Sequence, residues 1–140
     1  MKKFSFSKEE RIKKKKDFEK IYNTTKALIS SNQFIKANYF YEKTDKKGSL
    51  KIAVAVSSKA GKAVWRNRIK RLIREAYRLN KLSLLYFSES NKINLLIVFS
   101  SYRLSEIKNK TVRLDSISDS VKEILNKLLL ELSELKKNNF

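Results

Sequence analysis

Apolar positions change period several times along the chain, and each change marks an element. In residues 15–27, Phe18 and Tyr22 lie four apart with Ile21 beside them and Leu28 trailing, which predicts a helix. FIKANYFY at 34–41 is aromatic and β-leaning, and a polar cluster at 43–49 containing Gly48 ends it in a turn. LKIAVAV at 50–56 alternates and then becomes continuously apolar, as a central strand does. A short polar connection at 57–62 carries Gly61 beside the start of a second helix, which runs to about residue 79. INLLIVFS at 93–100 is another buried-strand pattern, while 82–87 fits helix continuation or loop equally. A last amphipathic helix is predicted over 118–136, with Val121, Ile124, Leu125, Leu128, Leu132 and Leu135 at helical spacing. Asp115, Ser116 and Ser118 are each suitable N-caps for it.

The order helix, strand, strand, helix, strand, helix argues an α/β (α+β) two-layer sandwich, a small mixed sheet covered by helices. At 140 residues with 41% hydrophobic composition, the chain reads as one domain, residues 1–140, with a modest core. No repeat or linker interrupts it. Residues 1–11 are weakly patterned and predict a mobile basic arm.

Charge changes the picture most. The chain carries 33 Lys and Arg against 14 Asp and Glu, a net charge of +19. Such an excess points to a polyanion, either nucleic acid or an anionic membrane. Apolar runs such as 95–99 and 128–130 are far shorter than the roughly 20 residues a membrane-spanning helix needs. Residues 1–16 contain no continuous apolar stretch of the kind a secretory signal requires, so a cytoplasmic protein is expected. There is no Cys, hence no disulfide or thiolate metal site, and no His, the commonest general base. Carboxylates are few and scattered, a poor basis for a self-sufficient hydrolase.

Most of the charge is organised on GKAVWRNRIKRLIREAYR at 61–78, where Lys62, Arg66, Arg68, Lys70, Arg71, Arg74 and Arg78 face one acid, Glu75. At about 100° per residue from Arg66, the residues Lys70, Arg74, Asn67, Arg78 and Arg71 fall within roughly 140°. Trp65, Ile69, Leu72 and Ala76 fall between about 240° and 300°, with Ile73 just beyond. One face can dock on a core while the other presents cations one turn apart, a spacing that follows a chain of phosphates. A solvated charge face is the bland alternative, but charge of nearly one sign needs a polyanionic partner to offset its self-repulsion.

VSSKAGKAVWRNRIKRLIR at 56–74 resembles the V-S-K-K-x-G-x-A-V-x-R-N-R-x-K-R-x-x-R pattern of the protein subunit of bacterial ribonuclease P. RIKKKKDFEKIY at 11–22 is similar to the R-L-x-x-x-x-D-F-x-x-V-F/Y opening of that family. The order of elements extends the resemblance to about residue 130. The resemblance implies a ribosomal-protein-like fold with a left-handed βαβ crossover, opposite to the usual hand. It also implies that an RNA subunit, using Mg²⁺, hydrolyses a phosphodiester to release the 5′ leader of precursor tRNA. This chain would bind that RNA, hold the leader and lower the Mg²⁺ requirement, with no cofactor of its own and no DNA or membrane partner.

Residue by residue, the resemblance assigns RNA contact to Lys59, Lys62, Arg66, Asn67, Arg68, Lys70, Arg71 and Arg74. Arg68, at about 200° on the wheel, alternatively braces the 57–62 loop or meets a different RNA segment. Phe18 and Tyr22 match positions that line a leader cleft against the sheet, with Phe34 a further candidate. The bland reading is that the i, i+4 aromatic pair fills the core. An aromatic that the family can supply three residues after Phe34 is Ala37 here, which Tyr39 replaces if the strand is shifted. The family's paired lysines are Ser58 and Lys59, and its basic, Pro-containing segment after the last strand is SSYRL at 100–104, with Arg103 alone basic. Two other readings stay open: a structural RNA-binding protein of ribosomal type, and a DNA-binding helix-turn-helix. The second needs a helix immediately upstream, where LKIAVAV stands instead.

Overall fold

The computed structural model describes residues 6–138. A 3₁₀ turn at Lys8–Glu10 precedes α1 (Lys15–Asn23), β1 (Ala27–Ile29), β2 (Ile35–Lys43) and β3 (Ser49–Ala55). Then follow α2 (Ala63–Asn80), α3 (Leu82–Ser90), β4 (Ile93–Ser101) and α4 (Leu114–Lys137). The sheet has the order β1-β2-β4-β3. β1–β2 and β2–β4 are antiparallel, whereas β3 runs parallel to β4 and joins it through α2 and α3, a βαβ crossover. β4 lies inside the sheet and is the most buried strand, with Leu95 through Phe99 all buried.

Strand parity sorts side chains onto two faces. Ile35, Ala37 and Tyr39 of β2, Leu50 and Ile52 of β3, and Leu95, Ile97 and Phe99 of β4 pack with α2 and α4 in the main core. The alternate residues Leu96 and Val98 turn the other way and join Ile12, Ile21, Phe18, Phe40 and Ala53 in a small cluster. The sandwich is thus two-layered over the main core, and α1 alone rides on the reverse face.

Several boundaries differ from expectation. The described part of the expected mobile arm, residues 6–11, is docked: Arg11 bridges Ile52 at the β3 edge and the Ile12 amide donates to the Ile52 carbonyl at 2.9 Å. The ring of Phe6 meets that of Tyr77 edge-on at 5.7 Å. Residues 1–5 lie outside the described residues. α1 ends at Asn23 instead of reaching 27, because Thr24 Oγ1 bonds the Ile21 carbonyl and Thr25 takes a left-handed backbone with φ of 58°. That turn frees Ala27–Ile29 for β1. The undecided stretch 82–87 belongs to α3. α4 begins four residues before its expected start, with Arg113 at the N-cap and no side-chain cap bond, so Asp115, Ser116 and Ser118 lie inside the helix. Ser118 instead accepts a bond from Asn80 Nδ2 at 3.1 Å, tying α4 to the end of α2.

Candidate nucleic-acid interface

The start of α2 is held by the segment after β4. Glu106 Oε1 accepts the Lys62 amide at 2.8 Å, supplying from 44 positions away the cap that no neighbour provides. The Glu106 amide donates to the Ala60 carbonyl at 2.8 Å, and Trp65 Nε1 donates to the Asn109 carbonyl at 3.1 Å. Gly61 is required at this junction because a Cβ there would stand 2.8 Å from both Glu106 Cβ and Trp65 Cε3. Arg68 donates through Nη2 to the Val112 carbonyl. It braces the 105–113 segment and not the 57–62 loop.

α2 is rotated about its axis relative to expectation. Tyr77 stands at about 20° on the wheel, within the arc assigned to cations. Yet it is fully buried with Trp65, Ile69, Ile73 and Ala76. Its ring packs against Phe6 and Phe99, and its hydroxyl donates to Glu10 at 3.3 Å. Leu72, expected in the core, is only partly buried, and Arg66 and Lys70 flank the buried stripe, also partly buried. Arg66 Nε donates to the Gly61 carbonyl at 3.0 Å, closing the loop onto the helix. Arg78 is engaged by Glu75, whose carboxyl is held below the ordinary carboxylate range by that bond.

Asn67, Arg71 and Arg74 are exposed, and together with Lys70 their side chains make no hydrogen bond or ion pair among the described residues. Lys59 and Lys62 are exposed beside the helix start. Lys70, Arg71 and Arg74 form a row of uncommitted cations with Asn67 among them along one side of α2, continued around its N-terminus by Lys59 and Lys62.

The reverse face of the sheet carries a second set. Phe18 is partly buried in the small cluster with Phe40, Leu96 and Val98, and Tyr22, one turn on, is 53% exposed. Phe34 does not join them; it packs against the main core on the other side. Ala37 and Tyr39 share parity and both face that core as well. Tyr39 donates to Glu131 at 2.8 Å, and burial followed by this carboxylate pushes its phenol up. The strand aromatic on the α1 side is therefore Phe40, under Lys20 Nζ at 5.8 Å. Alternation along β2, whose Ile35, Ala37 and Tyr39 face the main core, is the signal that finds it. Lys51, Arg11, Lys13 and Lys14, which sequence reasoning missed, surround a groove of about 270 Å³ at the start of α1 with Asp17. Among the described residues, no helix is long and apolar enough to cross a membrane.

A family model described as Ribonuclease P matches residues 6–128. The ribonuclease P protein component of Clostridioides difficile is 31% identical over 122 residues, covering 87% of this chain and 94% of that protein. That of Dictyoglomus thermophilum is 44% identical over 78 residues, which span 56% of this chain and 61% of its relative. The structure superposes on the RNase P protein of Staphylococcus aureus with a TM-score of 0.62 at 26% identity, covering 85% of this chain and 94% of the other. It superposes on that of Thermotoga maritima with a TM-score of 0.63 at 24% identity, covering 84% and 96%. A family match over residues 6–128, with a relative 31% identical along 94% of its own length, establishes that this chain belongs to the ribonuclease P protein family.

Proposed function

We propose that this chain is the RNA-binding subunit of a ribonuclease P whose RNA partner carries the chemistry, the hydrolysis that removes the 5′ leader from precursor tRNA. The observation that carries the reading is the row Asn67, Lys70, Arg71 and Arg74, uncommitted within the fold and continued by Lys59 and Lys62. Guanidinium forks at this spacing suit a phosphate backbone. On the reverse face, Phe18, Tyr22 and Phe40 supply aromatic surface beside Lys20 and Lys51, the combination that holds single strands without reading base edges. By neutralising phosphates of both RNAs, the protein lowers the Mg²⁺ the reaction needs.

The test is holoenzyme affinity for precursor tRNAs with leaders of graded length. Phe18→Ala should weaken long-leader substrates and leave mature tRNA unchanged. Equal losses on both would rule out a leader cleft at this face.

A further inference from the structure

Tyr102 stands just past the end of β4 and continues the row Leu96, Val98, Ser100 that faces the α1 side. It is 41% exposed, yet its backbone is fixed. Its amide donates to the Phe34 carbonyl at 2.8 Å and that of Arg103 to the Gln33 carbonyl at 2.9 Å, extending the β2–β4 ladder past the Ile35–Ser101 pair. Phe34, whose carbonyl accepts the Tyr102 amide, packs partly buried against the main core. Two cations attend the ring, Lys36 Nζ at 5.9 Å and Arg103 Cζ at 5.6 Å from its centroid. Beside it opens a groove of about 420 Å³ between Lys59, Arg103 and Lys108, with no carboxylate in its lining. None of the side chains of Lys36, Lys59, Arg103 and Lys108 has a hydrogen bond or ion pair among the described residues. The groove runs from Tyr102 to the loop that precedes α2, where Lys59 lines it.

We infer that Tyr102 is a stacking platform for one base of single-stranded RNA, and that the adjoining groove holds the phosphates on either side of it. The inference rests on the leader-binding reading and names the residue at which the strand passes from the α1 cleft to the basic helix. Both cations sit near the outer limit of a ring contact, at which the attraction is weak. A base stacking on the ring displaces one of them onto its own phosphate, so no charge is stranded. A larger base covers more of the ring, and a purine is preferred over a pyrimidine.

The experiment is an abasic scan of the leader in precursor tRNA bound by the reconstituted holoenzyme. Wild type should lose about 5- to 160-fold in affinity at one leader position, the range a single base–aromatic stack carries. Tyr102→Ala, and Tyr102→Leu as an apolar control, should abolish the penalty at that position alone, and Tyr102→Phe should keep it. Abasic penalties that persist unchanged in both truncating variants would overturn the inference while leaving leader binding intact. So would a Tyr102→Phe variant as impaired as Tyr102→Ala. If the leader itself, present or absent, changes nothing in wild type, the underlying reading fails first.

Discussion

Glu10 clasps the ammonium of Lys81 with both carboxylate oxygens, at 2.6 and 2.8 Å, although 71 positions separate them. Lys81 is 1% exposed, so its ammonium has left water for this carboxylate, which also accepts the Tyr77 hydroxyl. The pair pins the segment before α1 across the end of α2.

Removing Glu10 strips the buried Lys81 ammonium of the carboxylate that holds it through both oxygens. Glu10→Ala should therefore destabilise the chain by about 3–5 kcal/mol in urea unfolding. The double variant Glu10→Leu with Lys81→Met should recover most of that loss, because a buried pair replaced by apolar groups is often neutral. A Glu10→Ala variant within about 0.5 kcal/mol of wild type, the usual size of a surface change, would show that the segment is not held by this pair.

Gly61 and Glu106 make a paired prediction at the start of α2. Gly61→Ala pushes a methyl against Trp65 and Glu106 at 2.8 Å, and overpacking of this kind costs about 1–3 kcal/mol. Glu106→Ala removes the remote cap of α2 and should cost about 1 kcal/mol. Thermal melts of both variants, with RNA affinity measured alongside, check whether the loop geometry and the basic row fail together.

The cations of α2 divide into two groups. Arg71→Ala and Arg74→Ala should leave thermal stability unchanged and weaken RNA binding. Each should also reduce the salt slope of affinity by about 0.7–0.9 for every phosphate it no longer neutralises. Arg68→Ala should instead lower stability by about 1 kcal/mol, since its guanidinium serves the Val112 carbonyl. Salt titrations of binding beside melting curves separate the two behaviours.

Glu123 gives the fold a pH dependence. It accepts the Ser31 amide at 3.0 Å and hydroxyl at 2.8 Å and pairs with Lys127, tying α4 to the turn between β1 and β2. The Lys127 contact first, then the Ser31 amide, push its carboxyl down to about 2. A depressed folded-state pKa contributes stability that is present above the ordinary carboxylate pKa of about 4.3 and is lost as pH falls toward 2. Glu123→Gln should flatten this part of the stability profile between those limits and leave activity at neutral pH unaffected.

The elements with strong periods were legible: β3, β4, the body of α2 and the amphipathic stripe of α4 follow directly from their apolar spacing. What escaped has local physical causes. β1 is three residues long, too short to alternate, and exists because Thr25 turns the chain after α1. α3 carries Leu82, Leu84, Leu85, Tyr86 and Phe87 around much of its circumference, so no single face announces a helix. The face of α2 was misjudged because Tyr77 sits among cations in sequence but answers to Phe6, Phe99 and Glu10 in space. On the candidate surface, the exposure of Asn67, Arg71 and Arg74 was readable from the helical spacing of α2. The sidedness of Phe34 was not, because it lies just outside β2 and follows the main core instead of the strand's alternation.

The decisive measurement is multiple-turnover cleavage of precursor tRNA by the cognate catalytic RNA at low Mg²⁺, with and without this chain, and with the chain alone. The protein should stimulate cleavage strongly and cleave nothing by itself, and the stimulation should be lost when Arg71→Ala and Arg74→Ala are combined. Tight, salt-sensitive RNA binding that leaves the cleavage rate unchanged would contradict a role as the ribonuclease P subunit.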